Sequence, residues 1–471
     1  MGQLIVSVPD TYLQERIYIL GVLMKDFLAI DFEVVPHANR EVIIQCQGLN
    51  DKKLILEDTL FQIPSEEWLG IESLPKLPLL KWNINDDLPE ALVCNPEMPV
   101  LYGRYISHDR YFIQQENFIH IGLDILGSCF FMLSRYEEAV LKQRDQHGRF
   151  QAIMSVAYKE SIIERPIVNE YLEILWATMK RLWPNLQKKS RRFKIFLTHD
   201  VDIPFAVTGL SLSKIAKSCL GDLIKRKSLG LGIKRWQSLL NTRKYGADYD
   251  LYNTFDYLMD KSEEKGLKST FYFMTNFSNK KYDGNYSLEN PWICELLRKI
   301  HRRGHEIGLH PSYDSYNDIE KTIGEFQYLK KICEQENIFQ DNWGGRQHYL
   351  RWDIPITWRN LDEAGLEYDS TLGYAEKPDF RCGTCFEFPV FDLQYRNQLK
   401  LRERPLTVME GSLFGVNYMA LKHDRAFDEV NRMISICRLF HGDFVLLWHN
   451  NNLLTNQDRK MYENILNLYV Y

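Results

Sequence analysis

Asp200 and Asp202, one residue apart in KIFLTHDVDIP (194–204), follow a short apolar, β-prone run from Ile195 to Thr198. Carboxylates leaving a buried strand are costly unless paired, and α/β proteins gather ligand chemistry at the carboxyl ends of such strands. The pair reads either as a metal ligand beside a general base or as a strand end capped by acidic turn residues. A second stretch, GHEIGLHPSYDS (304–315), ends another apolar run at His310, with Asp314 four residues on. On a helical turn, i and i+4 point the same way and can grip one ion; a helix cap or an ordinary hydrogen bond explains the spacing equally well. With Asp202 these residues make a three-ligand set. Neutral imidazole suits zinc or another borderline divalent ion, and two carboxylates tilt the site towards harder ones. Three more polar clusters close apolar runs: Arg346 and His348 in GGRQHYLRW (344–352), Asp369 in YDSTLGY (368–374), and His449 in VLLWHN (445–450).

The elements needed to position these residues are legible from 193 onward, where strand-like and helix-like patterns alternate about seven times. This predicts a parallel (β/α) barrel over 193–471 rather than a sandwich. The strand exits of such a barrel share one face, so residues far apart in sequence converge there. Residues 1–185 read as a smaller region, mixed α/β to about 100 and mainly helical over 101–185, without a chemical motif. Asp124, Arg135, Glu137, Glu138 and His147 read there as structural partners. LQKKSRR (186–192) is a basic polar linker. An insertion at 206–248 interrupts the barrel. Its segment 211–245 carries Lys214, Lys217, Lys225, Arg226, Lys227, Lys234, Arg235, Arg243 and Lys244 against the single acid Asp222. It reads as a solvated amphipathic helix pair, a lid over an anionic substrate, or a membrane-surface helix.

A net charge of −5 over 471 residues argues against a dedicated nucleic-acid binder. No segment approaches the uninterrupted apolar length of a membrane span, and MGQLIVSVPDTYLQER lacks the pattern of a secretory leader. The nine cysteines are scattered, and CGTC (382–385) reads as free thiols. A cytoplasmic protein is expected. No nucleophile elbow and no phosphate-cradling glycine loop occurs.

The order of these motifs over about 193–460 resembles the NodB-homology polysaccharide deacetylases (carbohydrate esterase family 4-like). Within them it looks like a divergent bacterial subgroup with an extra N-terminal region. The resemblance implies a deformed (β/α) barrel and one divalent metal ion, zinc first, with cobalt, manganese or nickel as alternatives. By it Asp200 is the base, Asp202 and His310 are metal ligands, Arg346 orients the base, and His449 is the general acid. Asp369 would contact the base–arginine pair. Asp314 stands where the family's H-[ST]-x-x-H has its second histidine, and so completes the expected ligand set. Tyr374, Trp352 and Arg381 would wall the substrate groove, and His199, His305 and His348 would support the ligands from behind. The activity implied is removal of N-acetyl groups from a saccharide or glycoconjugate, with peripheral membrane contact through 211–245 if the substrate is lipid-linked. Two other readings stand beside it: hydrolysis of another C–N bond, such as a cyclic amide, and a non-catalytic sugar-binding descendant without metal, which the missing second histidine favours.

Overall fold

Period-two alternation of Leu, Ile and Val with polar residues builds the first sheet. The computed structural model describes residues 3–48, 51–206 and 229–470. Its N-terminal part contains β1 (Leu4–Pro9), β2 (Phe32–His37), β3 (Val42–Cys46) and β4 (Lys53–Leu56). β5 (Leu80–Asn83) and β6 (Glu97–Val100) form a separate antiparallel pair. With β7 (Phe112–Gln114) and β8 (Phe118–Ile121), the first four make a six-stranded sheet in the order β2-β1-β3-β4-β8-β7. Residues 101–185, expected to be mainly helical, therefore also supply two strands. FIQQENFIHI alternates at period two just before the helical spacing of Ile125–Leu133 begins. That helix is capped by Asp124, whose carboxylate accepts from the Gly127 N–H and also from the Thr59 and Leu60 N–H groups. The reading of Asp124 as structural holds.

Beyond 186–192 a nine-stranded sheet takes over. Its members are β9 (Lys194–Val201), β10 (Ser269–Met274), β11 (Glu306–His310), β12 (Gly344–Gly345), β13 (Tyr368–Asp369), β14 (Phe388–Asp392), β15 (Asn397–Glu403), β16 (Val408–Met409) and β17 (Asp443–Leu447), in the order β14-β15-β13-β12-β11-β10-β9-β17-β16. All neighbours are parallel except β14 with β15. β10 is buried along its whole length, as a parallel strand covered on both faces must be. Helices Phe255–Glu263, Pro291–Arg302, Ile319–Gln335, Ile356–Ala364 and His423–Leu439 supply the cover. The run 397–409 joins both ends of the sheet. Leu406 N–H donates to the Leu372 carbonyl beyond β13, and Thr407 N–H donates to the Val445 carbonyl in β17 (both 3.1 Å).

The hairpin β14–β15 falls in a stretch where the sequence signals no strand. Pro389 within FPVFD obscures the strand, and β14 tolerates it because it is an edge strand. This edge meets the N-terminal region: Tyr18 Oη donates to the Pro389 carbonyl (2.8 Å) and Arg396 pairs with Glu15 (2.6 Å). Inside the sheet, two glycines make room for rings. A Cβ at Gly344 would meet the Tyr368 ring at 1.9 Å, and one at Gly308 would meet the Tyr272 ring at 2.4 Å. The two tyrosines lie under the site described next.

Within the insertion, Lys214, Lys217, Asp222, Lys225, Arg226 and Lys227 lie outside the described residues. Helix Leu229–Tyr245 carries the remaining cations, and Ile233, Trp236 and Leu240 are exposed along it. Among the described residues no helix is long and apolar enough to cross a membrane.

Candidate active site

Strand β9 alternates, and the alternation decides which of its polar residues enters the site. Thr198 and Asp200 point one way. Asp200 is buried, and its Oδ1 accepts from Arg346 Nη1 (3.2 Å). Arg346 is itself fully buried just after β12. It donates to Thr198 Oγ1 (2.7 Å), Ser370 Oγ (2.8 Å) and the Ser370 carbonyl (2.8 Å), with Tyr272 beneath its guanidinium. Four of its five N–H donors are engaged, so the arginine is fixed and Asp200 with it.

Beyond Asp200 lies a cluster of three possible ligands: Asp202, His310 and His348, whose donor atoms all fall within 4.8 Å of one another. His310 Nε2 is 3.1 Å and His348 Nε2 3.6 Å from Asp202 Oδ1. His310 Nδ1 faces the Arg346 carbonyl (2.6 Å), and His348 Nδ1 faces Asp283 Oδ1 (3.0 Å). A carbonyl and a carboxylate only accept, so each Nδ1 carries a proton, and the neutral form of each ring would turn its Nε2 lone pair to the cluster. Asp202 Oδ1 and His310 Nε2 are buried without a hydrogen-bond partner of their own. Two converging imidazole nitrogens, a carboxylate oxygen and orphaned buried atoms fit a divalent cation. Asp202, His310 and His348 are the residues that would hold it. Burial would raise the Asp202 carboxyl, but the nearby imidazoles of His348, His310 and His449 outweigh it and hold it far below the carboxylate range. His310 moves the other way: burial lowers it, and Asp200 with Asp202 lifts it above its ordinary value.

Across the cleft stands His449, after β17, with Nε2 3.7 Å from Asp202 Oδ2. Glu410, fully buried, accepts on Oε1 from both His449 N–H (3.0 Å) and Nδ1 (2.6 Å) and from Asn452 Nδ2 (2.7 Å). Burial pushes the imidazole down, but the Glu410 carboxylate, helped by Asp202 and Asp200, holds it up at about 10. Asp200, Asp202, His310, His348 and His449 line a cleft of about 190 Å³ together with Tyr349, Tyr418 and Arg149.

Several expected site residues stand elsewhere. Asp314 is not in the cluster, because residues 311–318 form turns rather than the helix that i/i+4 gripping needs. Its carboxylate is paired with Arg351 (3.1 Å) and accepts from Asn279 Nδ2 (3.3 Å). His348, expected behind the ligands, occupies the third position instead. R-Q-H spacing puts residues 346 and 348 on one side of an extended chain, a signal present in the sequence but not used. His199, on the opposite face of β9, bridges the Trp448 carbonyl (2.7 Å) and Ser269 Oγ (3.1 Å), and burial depresses it to about 3. His305 sits at the other end of the strands, between Ser269 N–H and Glu263. Neither touches the cluster. Tyr374, Trp352 and Arg381, expected to wall a groove, are buried. Arg381 forks onto Glu138 of the N-terminal region (3.0 and 2.7 Å), which also holds Arg135 (2.9 Å). The region covers that surface, and the structural reading of Arg135, Glu137 and Glu138 holds. Asp283, Ser370 and Glu410 carry no motif and were not foreseen.

Asp369 makes no hydrogen bond to Arg346; Ser370 does so in its place. Asp369 accepts from Thr371 Oγ1 and is the register partner of Glu403, both carboxyls being fully buried. Burial raises both, Asp369 to about 6; the Asp369 charge raises Glu403 further, while the bond from Glu403 restrains the rise of Asp369. The pair therefore holds a proton, which satisfies the otherwise unpartnered Asp369 Oδ2. A raised carboxyl contributes stability that is complete below the unfolded carboxylate range and is lost as pH rises through its folded value. Thermal unfolding should accordingly show stability falling by on the order of 3 kcal/mol from about pH 4 to above pH 6. Asp369→Asn can still accept from Thr371 Oγ1 and should flatten that slope; a slope unchanged in the variant would place its source elsewhere.

Residues 248–359 match the family model described as polysaccharide deacetylase. Over this stretch the chain is similar to the polysaccharide deacetylases. The matched span contains Asp283, His310, Arg346 and His348; Asp200 and Asp202 precede it, and Glu410 and His449 follow. Ahead of this stretch, residues 4–184 match a family of unknown function (DUF7033). Among solved structures, the chain is similar to one from Mycobacterium smegmatis described as a polysaccharide deacetylase (14% identity, 60% of this chain, 85% of that one, TM-score 0.39). Another is from Pseudomonas aeruginosa PAO1, assigned to the same group (11%, 59%, 85%, TM-score 0.35). No curated protein matches the chain.

Proposed function

We propose that the protein is a metal-dependent hydrolase that removes N-acetyl groups from a sugar-containing substrate. The observation that carries this reading is the meeting, in one cleft, of the Asp202–His310–His348 cluster, the Asp200–Arg346 pair and the Glu410–His449 pair. Amide hydrolysis needs an activated water, a stabilised oxyanion and a proton for the departing amine. A divalent ion, when bound, supplies acidification of the water and polarisation of the carbonyl. Asp200 takes the water's proton, aimed by its bond from Arg346. His449, kept protonated by Glu410, gives its proton to the leaving nitrogen. Zinc is the ion proposed, since two imidazoles and one carboxylate form a softer set than the one-imidazole, two-carboxylate set expected from the sequence. The frame proposed is a deformed (β/α) barrel. Counting the 397–409 run once, seven parallel strands meet edge to edge, which supports it.

A metal-free binding descendant loses its main support, because His348 supplies the second imidazole. The compartment proposed is the cytoplasm, in keeping with Cys94, Cys129, Cys294, Cys333, Cys382, Cys385 and Cys437, which are free thiols. Helix Leu229–Tyr245, with Trp236 exposed beside Lys234, suits peripheral contact with an anionic surface and hence a lipid-linked substrate. Acetate release should be measured with metal-stripped and zinc-restored protein, on soluble N-acetylglucosamine oligomers and on a lipid-linked N-acetyl sugar in anionic vesicles. Zinc-dependent acetate from either class is expected, and a preference for the vesicles would support the membrane contact. No acetate from both, alongside turnover of a cyclic amide, would replace the reading with the other C–N hydrolase.

A further inference from the structure

The N-terminal region has no chemical motif, yet one of its loops reaches the cleft. Residues 144–152 fold into a tight turn around Asp145. Asp145 N–H donates to the Arg149 carbonyl (2.9 Å) and Gly148 N–H to the Asp145 carbonyl (3.0 Å), and Asp145 Oδ1 accepts from the N–H groups of His147 and Arg149. Gly148, at φ +75°, permits the reversal. From this turn two side chains cross to the C-terminal part of the chain. His147 Nδ1 lies 2.9 Å from Tyr313 Oη, and its ring packs 4.9 Å from that of Tyr349. Arg149, aligned by Asp145 (2.8 Å), donates to the Tyr349 carbonyl (3.2 Å) and to Tyr418 Oη (3.5 Å) and lines the cleft itself. Arg351 returns the grip by donating to the His147 carbonyl (2.7 Å).

What the loop grips is the segment carrying His348. Tyr349 and Leu350 are non-glycine residues at φ +61° and +54°, two successive left-handed positions that a chain keeps only when its surroundings over-determine them. Asp283 fixes the His348 ring, but it does not hold the backbone turn that follows. The backbone carbonyl of that turn is held by Arg149, and its exposed ring is held by His147.

We propose that the N-terminal region is a working part of the cleft, in which Arg149 and His147 are positioning residues that fix the His348–Leu350 turn and so aim His348 at Asp202 and His310. This rests on the reading of that cluster as a cation site, and the test separates the two. Co²⁺ is titrated calorimetrically into the metal-stripped full chain and its visible absorption recorded, for wild type, Asp202→Ala, Arg149→Ala, Arg149→Lys, His147→Ala and Arg181→Ala. Arg181 pairs with Glu90 on the surface of the same region and serves as the control. Loss of an outer partner of a ligand typically costs about 10–100-fold in metal affinity. Arg149→Ala and His147→Ala should each lose that much and alter the Co²⁺ ligand-field bands, Arg149→Lys should recover part of it, and Arg181→Ala should match wild type. A loss of thermal stability alone would not move the bands. Wild-type affinity and spectrum in both Arg149→Ala and His147→Ala, with Asp202→Ala abolishing binding, would overturn the positioning role and leave the cation site standing. Unchanged binding in Asp202→Ala would overturn both.

Discussion

Asp200→Asn is expected to reduce acetate release by about 10²–10⁴-fold, the usual contribution of a positioned general base, while divalent-ion affinity stays close to wild type. Asparagine keeps the shape and can still accept from Arg346 Nη1, now 3.2 Å from Asp200 Oδ1, so the buried guanidinium is not orphaned. Thr198 Oγ1, Ser370 Oγ and the Ser370 carbonyl continue to hold it. What the amide cannot do is take a proton from water. Asp200 Oδ2 lies 3.8 Å from His310 Nε2, and Asp200 is not one of the three clustered ligands, which is why ion binding should survive. Steady-state kinetics on the zinc-loaded variant, paired with calorimetry on the stripped one, reads both halves. A kcat within a few-fold of wild type would remove Asp200 as the base, and a collapse of affinity would make it a ligand.

The sequence foretold the strands that carry chemistry better than the partners that make chemistry work. KIFLTHD, HEIGLH and DFVLLWH each end a buried apolar run in polar residues, and all three end at the cleft. That logic needs only burial on both faces and a shared exit side, properties of parallel strands that a one-dimensional pattern records. The failures are of another kind. Asp314 was placed by assuming a helix after His310, whereas Pro311 and the following turns send its side chain to Arg351. Glu410, Asp283 and Ser370 act through residues 39, 65 and 24 positions away, a separation that no local spacing encodes. Arg149 reaches the cleft from a region whose sequence resembles a linker between helices. Arg381 misled for the opposite reason. A loop rich in aromatic and cationic residues looks like a groove wall until Glu138, more than two hundred positions earlier, is seen to neutralise and bury it.

His348→Ala and Asp314→Ala should separate most widely, because the sequence and the three-dimensional arrangement disagree about them. His348 offers Nε2 to the cluster with its other nitrogen already engaged by Asp283, the arrangement in which imidazole binds metals best. Removing it takes away a ligand outright, so the loss in Zn²⁺ or Co²⁺ affinity should exceed the roughly 10–100-fold that an outer partner is worth. Asp314 cannot step in: its two oxygens are taken by Arg351 and Asn279, and Ser278 Oγ anchors its backbone N–H. Asp314→Ala should therefore bind the ion as wild type does and show, at most, a small change in stability from a partly exposed ion pair. Calorimetry on the two stripped variants decides the matter. The reverse pattern, binding lost with Asp314 and kept without His348, would restore the sequential His310–Asp314 set and require residues 311–318 to rearrange around the ion. The expected pattern means that this chain keeps a two-histidine, one-carboxylate site by drawing the second histidine from the strand that carries the arginine, two residues beyond Arg346. The arginine that aims the base and the imidazole that completes the cluster then share the segment just after β12, so a change in that short strand would disturb both together.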